Sequence, residues 1–168
     1  KNKSLDDLYE FLSVLFGSFP EMKTFGNRVN KVLKNNSYDI IIDNQSISYG
    51  MLKIQESIPL IEIIHHPITK DYQYEILFSK GVIQKLSKWR WFSFLKMQKK
   101  VASKLNVIST PSHNSMRDIE KDFNVARSKI AVIPNGIDFN IFMPLKNISR
   151  IPNRLITTAS ADVPLKGL

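Results

Sequence analysis

Pro59-Leu60-Ile61-Glu62-Ile63-Ile64 runs without a break into His65-His66-Pro67. A short apolar run rich in β-branched residues, followed at once by polar residues and a proline, reads as a strand buried on both faces and ending at a loop. Tyr38-Asp39-Ile40-Ile41-Ile42-Asp43 has the same character upstream. Leu105 to Thr110 closed by Pro111, Ile130 to Ile133 ended by Pro134-Asn135-Gly136, and Leu155 to Ala159 follow downstream. Between these runs lie helical patterns at Tyr49 to Glu56, at Tyr72 to Lys104 with a break near Gly81, and at Ser112 to Asp122. Short strands alternating with helices predict an α/β fold, a Rossmann-like parallel sheet flanked by helices and joined by right-handed crossovers.

Two helices are expected before the first strand. Ser4-Leu5-Asp6-Asp7 places a carboxylate three residues after a hydroxyl, a helix start, and Leu5, Leu8, Leu12, Leu15 and Phe19 follow a helical stripe. Ser18-Phe19-Pro20-Glu21 repeats the capping pattern, and Val29, Val32 and Leu33 lie on the helix that follows it. Pro144 to Pro152 reads as a linker. The chain begins without Met and stops at Lys166-Gly167-Leu168, in what reads as the start of a helix, so a fragment of a longer protein is expected.

Composition narrows the possibilities. The 168 residues include 24 Lys plus Arg against 15 Asp plus Glu, a formal charge of +9. Between Ile76 and Arg117 there are nine basic residues and no acidic one, so the rest of the chain is neutral. A protein that coats nucleic acid over its whole surface would not concentrate its charge in one block. With 43% hydrophobic residues the chain can build a core, which argues against disorder. There is no Cys, hence no disulfide framework, no thiolate nucleophile and no Cys-based zinc site, which fits a reducing compartment. No apolar run approaches the roughly 18 residues needed to span a bilayer, and no secretory signal opens the chain.

In parallel α/β sheets ligands bind outside the carboxyl ends of the strands. The segments to inspect are therefore Asn44–Ser48, His65–Ile68, Pro111–Ser115, Asn135–Asp138 and Ser160–Lys166. His65 and His66 end a buried strand, where an imidazole can point into a ligand cleft and exchange hydrogen bonds near neutral pH. A pair of loop residues stopped by Pro67 is the plainer alternative. A metal site is not expected, because His113 is remote and no H-x-x-x-H spacing is present. Ser112 is a good helix N-cap, and the helix start behind it could face an anion. Asn135-Gly136 is a turn that supplies left-handed backbone cheaply. Lys166 could meet a phosphate, or be an ordinary surface lysine. Neither a dinucleotide-binding G-x-G-x-x-G nor a P-loop occurs.

Taken in order, five of these segments resemble glycosyltransferase family 4, whose GT-B fold sets two Rossmann-like domains face to face. They are Tyr38 to Asp43, Ile58 to Pro67 with the strand-end histidine, Thr110 to Ile119, Ile130 to Phe139 followed by Phe142 and Pro144, and Thr157 to Leu168. The resemblance implies transfer of a sugar from a nucleotide-sugar donor, with retention of configuration, to a glycan or lipid-linked acceptor held mainly by the first domain. It divides the chain into residues 1–145, the N-terminal acceptor-side domain, incomplete at its start, and 146–168, a linker and the beginning of the donor-binding domain. It implies His65 at the reaction centre with His66 as the fallback. Asn44, Gln45, Ser112, Asn135, Gly136, Ser160 and Lys166 are implied to contact substrate. Lys166 would neutralise the donor diphosphate as charge develops on it. No cofactor and no metal are expected if protein cations do this. Two departures stand out: Ala159-Ser160 replaces the family's usual Gly-Arg, and His113 stands where an acidic residue is common. So much of the fold lies outside the sequence that the isolated chain is expected to be inactive.

Residues Lys85–Leu105 of the basic block fit a single helical wheel. Trp91, Phe94, Leu95, Val101, Ala102 and Leu105 make one apolar face, assigned to the core. Trp89 and Phe92 fall on the outer face beside Lys85, Lys96, Lys99 and Lys100. A solvated helix face ranks first, contact with an anionic membrane second and nucleic acid third. The expected location is the cytoplasm, at the inner face of the membrane if that contact is made. Two rivals to the transferase remain: a non-catalytic α/β domain binding anionic membrane or nucleic acid through residues 76–117, and another GT-B enzyme such as a nucleotide-sugar epimerase.

Overall fold

The computed structural model describes residues 5–16, 20–34, 36–144, 148–149 and 151–156. Helices α1 (Leu5–Leu15) and α2 (Glu21–Leu33) precede an alternating series: β1 (Ile41–Asn44), α3 (Tyr49–Ile54), β2 (Leu60–Ile63), α4 (Thr69–Leu77), α5 (Val82–Trp91), a 3₁₀ turn at Phe92–Phe94, α6 (Leu95–Ala102), β3 (Ile108–Thr110), α7 (His113–Phe123), a 3₁₀ turn at Arg127–Lys129 and β4 (Ile130–Val132). The four strands form one sheet in the order β1-β2-β3-β4, all neighbours parallel. The expected Rossmann-like α/β fold is therefore present.

A parallel sheet that advances one strand at a time through right-handed crossovers keeps its crossover helices on one face. The core agrees. Met51 and Ile54 from α3, Met97, Val101 and Ala102 from α6, and Ile119 and Phe123 from α7 form one cluster with Leu60, Ile64 and Ile108. Each of these side chains larger than Ala102 contributes roughly 1.5–3 kcal/mol on leaving water. Met22, Val29 and Leu33 of α2 pack against this cluster from the side.

Burial on both faces, expected for the first strand, is not found among the described residues. Among the described residues β1 pairs with β2 alone, and it begins at Ile41 rather than Tyr38. Only Asp43 of its four residues is buried, and Ile42 on the opposite face is 61% exposed. The alternation in β2 is of the same kind, with Leu60 and Glu62 buried and Ile61 and Ile63 half-buried. Leu155 and Ile156 are exposed and belong to no strand; the rest of the expected fifth strand, like Ser18 and Phe19 of the second capping pattern, lies outside the described residues.

The long helix from Tyr72 to Lys104 is three helices. Gly81, at φ +86, breaks it as expected. The second break is the 3₁₀ turn at Phe92–Phe94. A 3₁₀ turn advances about 120° per residue against 100° for an α-helix, so three residues shift the face by about 60°. The single wheel fails for that reason. Phe92, assigned to the outer surface, is buried and tilts against Tyr72 and Phe94 at centroid distances of 5.4 and 6.1 Å. Trp91, assigned to the core, is 47% exposed. Phe94, Val101, Ala102 and Leu105 are buried as expected, Leu95 only partly, and Trp89 is outside, with Lys96 Nζ 5.8 Å from its ring centroid.

Two glycines set the crossing of α2 and α3. Gly26 and Gly50 are both buried, and a Cβ on Gly50 would lie 2.1 Å from the carbonyl carbon of Gly26. The helices meet backbone to backbone. α1 is joined to α2 by charge: Arg28 donates to Asp7 and Glu10 at 2.9 and 2.6 Å, and Lys31 to Asp6 at 2.6 Å. The leucine stripe of α1 is left exposed.

Candidate functional site

All four strands point the same way, so their carboxyl ends share one edge of the sheet, and the polar strand-end segments collect there. The tightest constellation joins the ends of β1 and β2. The His65 ring Nε2 lies 2.8 Å from Asn44 Oδ1, and the His65 backbone N–H donates to Gln45 Oε1 at 2.9 Å. Gln45 Nε2 donates to the His66 carbonyl at 3.2 Å. With Asn44 Oδ1 as acceptor, Nε2 carries the proton and Nδ1 is the nitrogen with the free lone pair. His66 Nε2 faces Asp71 Oδ2 at 3.5 Å, on the first turn of α4. Both histidines are solvent-exposed, as ligand contact requires.

The loop that carries Gln45 is strained. Gln45 has φ +66 and Ile47 φ +46. For a β-branched residue that region is rarely occupied, and each such residue costs on the order of 1–3 kcal/mol. Asp43 offsets the strain. Its Oδ2 accepts from the Ser46 hydroxyl at 2.6 Å, from the Ser46 N–H at 3.1 Å and from the Ile47 N–H at 3.4 Å. Glu62 is the register partner of Asp43 on β2 and is fully buried. Its Oε1 accepts from the same Ile47 N–H at 3.3 Å. Burial, and then the hydrogen bond and charge of Asp43, push the Glu62 carboxyl up to about 10. It is therefore neutral at physiological pH.

Neither Asp43, Glu62 nor Asp71 stood among the expected site residues. The signal was there: each of the first two strands carries an acid one residue before its end, in runs otherwise apolar. A carboxylate at such a position needs a partner or a proton.

The remaining expected residues separate into two groups. Ser112 caps α7, its Oγ accepting the Ser115 N–H at 3.0 Å, and stands at the end of β3 next to the histidine strand. Asn135 and Gly136 follow β4 in an exposed segment at the same edge. They share the edge with the histidines without a hydrogen bond to them. Ser160 and Lys166 lie outside the described residues. Among the described residues no group of three acidic or His side chains could hold a metal ion, and no helix is long and apolar enough to cross a membrane.

Beside His66 a cavity of about 460 Å³ opens between α2, α4 and the 3₁₀ turn. Met22, Ile68, Trp91, Phe92 and Phe94 give it apolar walls, and Asp71 and Glu75, one turn apart on α4, supply its charged groups. Such a cavity suits a ligand with an apolar face and hydrogen-bond donors. Glu75 is also paired with Lys88 at 2.8 Å.

A parallel sheet wound in one direction, with an exposed histidine oriented by amide side chains past its carboxyl edge, has the architecture of an α/β ligand-binding domain. More narrowly, the family model for Glycosyltransferase Family 4 matches residues 5–140, and the chain belongs to that family. It is also similar to an MMP alpha-(1->4)-mannosyltransferase of Mycolicibacterium hassiacum, 39% identical over 169 residues that cover 99% of this chain and 40% of that protein. The chain thus spans about two fifths of the length of the curated relative it matches.

Proposed function

We propose that this chain is the acceptor-side part of a retaining glycosyltransferase that moves a hexose, mannose by likeness to its relative, from a nucleotide-sugar donor to a glycan or lipid-linked acceptor. The observation that carries this reading is His65, fixed in ring and backbone by Asn44 and Gln45 at the end of β2. A side chain held in this way can meet the donor sugar without ordering itself during the reaction, which is where enzymes save most. Residues 1–145 form the acceptor-side domain and 146–168 lead into the donor-binding domain. There Ser160 and Lys166 approach the diphosphate, and protein cations rather than a metal take up its charge. Asn135 and Gly136 line the crevice between the domains, and the acidic, apolar cavity beside His66 takes the acceptor. The isolated chain is inactive, because the groups that hold the donor lie mostly beyond it.

The test is sugar transfer by the full-length protein, followed by release of the donor nucleotide. His65→Ala should reduce kcat at least about a hundredfold, the scale for losing a group that acts in the transition state. Wild-type rates in that variant, or transfer by residues 1–168 alone, would defeat the proposal.

A second surface supports membrane contact from the cytoplasmic side. Val82, Ile83 and Leu86 of α5 are exposed beside Lys85, and Trp89 lies outside with Lys96; Lys99 and Lys100 extend the basic face along α6. Apolar and aromatic side chains interspersed with lysines suit an anionic bilayer surface, each cation contributing about 1 kcal/mol. Phe92, being buried, takes no part. Co-sedimentation of the full-length protein with phosphatidylglycerol-rich vesicles at low salt should be lost in Ile83→Glu; sedimentation that ignores this change places the contact elsewhere.

A further inference from the structure

We propose that the buried Asp43–Glu62 pair is the positioning device of this site, gripping the 45–48 loop so that Asn44 and Gln45 fix the ring tautomer and backbone of His65. The inference rests on the reading of His65 as the residue at the reaction centre.

Geometry assigns the proton within the pair. Asp43 and Glu62 face each other across the β1–β2 register, both buried. Glu62 Oε1 has a donor, the Ile47 N–H, whereas Oε2 is buried and meets none. Two carboxylates cannot share such a site as two bare charges. The pair therefore holds a proton between them, and Glu62, the more deeply buried of the two, is the one that carries it. The ionisable side chain acting on Glu62 is that of Asp43, and the backbone N–H groups of Ile47 and Gln45 oppose its influence. Asp43, so supplied, collects the Ser46 hydroxyl and the N–H groups of Ser46 and Ile47.

These bonds span the stretch in which Gln45 and Ile47 take up left-handed backbone. No glycine relieves that stretch, so its shape depends on the acceptors beneath it. The loop then acts outward. Asn44, the residue after Asp43, meets the His65 ring, and Gln45 brackets the peptides of His65 and His66. Neither carboxyl touches substrate. Their effect passes through the loop to the imidazole, and its signature is the tautomer of His65.

The test uses the full-length protein with ¹⁵N-labelled histidine. In wild type the His65 ring should carry its proton on Nε2 near neutral pH. Glu62→Gln, which can still donate to Asp43, should keep that pattern and most of the activity. Glu62→Met, which cannot, should give mixed tautomers and lower kcat at least about tenfold with KM little changed, the scale of loss when a supporting partner of a functional side chain is removed. A folded Glu62→Met protein with the wild-type tautomer, or with wild-type kcat, overturns the proposal. Should that variant not fold, the ¹³C carboxyl signal of Glu62 in wild type decides: a protonated carboxyl near neutral pH supports the pair, and a carboxylate refutes it. These signals do not depend on sugar transfer. A wild-type protein that shows them yet transfers no sugar refutes the enzymatic reading and leaves the pair standing.

Discussion

Replacing Gly50 by alanine adds one methyl group where two helices touch without side chains. Its Cβ would stand 2.1 Å from the carbonyl carbon of Gly26, 2.3 Å from its oxygen and 2.5 Å from its Cα. Carbon atoms are at rest about 3.5–4.0 Å apart. α2 would therefore have to withdraw by about 1.5 Å, and no rotamer change can spare it, because every atom in the way is backbone. Withdrawal loosens Met22, Val29 and Leu33 from the core cluster. Overpacking of this kind costs typically about 1–3 kcal/mol, and an obstacle of backbone belongs at the upper end. Alanine returns less than about 1 kcal/mol of helix propensity. The net expectation is a destabilisation of about 2 kcal/mol. Native-state hydrogen exchange of α3 and β2 amides in the full-length protein measures it without requiring two-state unfolding of the whole chain. Gly136→Ala is the control, since nothing lies within 4 Å of its added Cβ. A fall in opening free energy below about 0.5 kcal/mol for Gly50→Ala, the scatter of ordinary surface changes, would refute the packing argument.

Three further outcomes follow from the same structure. Glu62 holds its proton to about 10 when folded and gives it up near 4.5 when unfolded, so the stability it supports is full below about pH 4.5 and is drawn down as pH rises towards 10. Wild type should lose about 1.4 kcal/mol per pH unit relative to Glu62→Gln between pH 6 and 9 in urea denaturation, and parallel pH profiles would contradict this. Phe92→Ala should cost about 3 kcal/mol and Trp89→Ala little, which reverses if the two side chains exchange faces; melting curves of the two variants decide. Ser112→Ala should cost about 1 kcal/mol in the exchange protection of α7, with Ser112→Asn restoring most of it, because the cap is the hydroxyl that accepts the Ser115 N–H.

Much of the fold was legible because its signals are local and redundant. Apolar runs ending in polar loops marked four strands, Gly81 broke the long helix where expected, and Ser112 capped the helix after β3. The rule that ligands bind past the strand ends singled out the segments that carry Asn44, Gln45 and His65, but the hydrogen bonds among them appear only in the structure. The rest is not legible in the sequence, for physical reasons. The 3₁₀ turn at Phe92–Phe94 lies in an aromatic run with no glycine or proline to announce it, and the small phase shift it introduces exchanged Trp91 and Phe92. The burial of β1 depends on what packs against each of its faces, which an apolar run alone does not disclose. The role of Glu62 depends on Asp43 as its register partner, which strand pairing and not the apolar run decides. The contact of Gly26 with Gly50 is set by tertiary packing, and sequence spacing carries no trace of it.

The helices that follow β2 and β3 have a consequence for the electric field at the site. α4 begins at Thr69 and α7 at His113, both just past the carboxyl ends of neighbouring strands, so both point their amino termini toward the edge that bears His65. Each such terminus behaves as about half a positive charge fixed in the peptide groups. The lysines that give the chain its +9 are concentrated on other helices, α5 and α6. Part of the positive potential at this edge is thus built into the direction of the chain, opposed at α4 by Asp71 on its first turn, and it would persist in a protein whose surface lysines had all been neutralised.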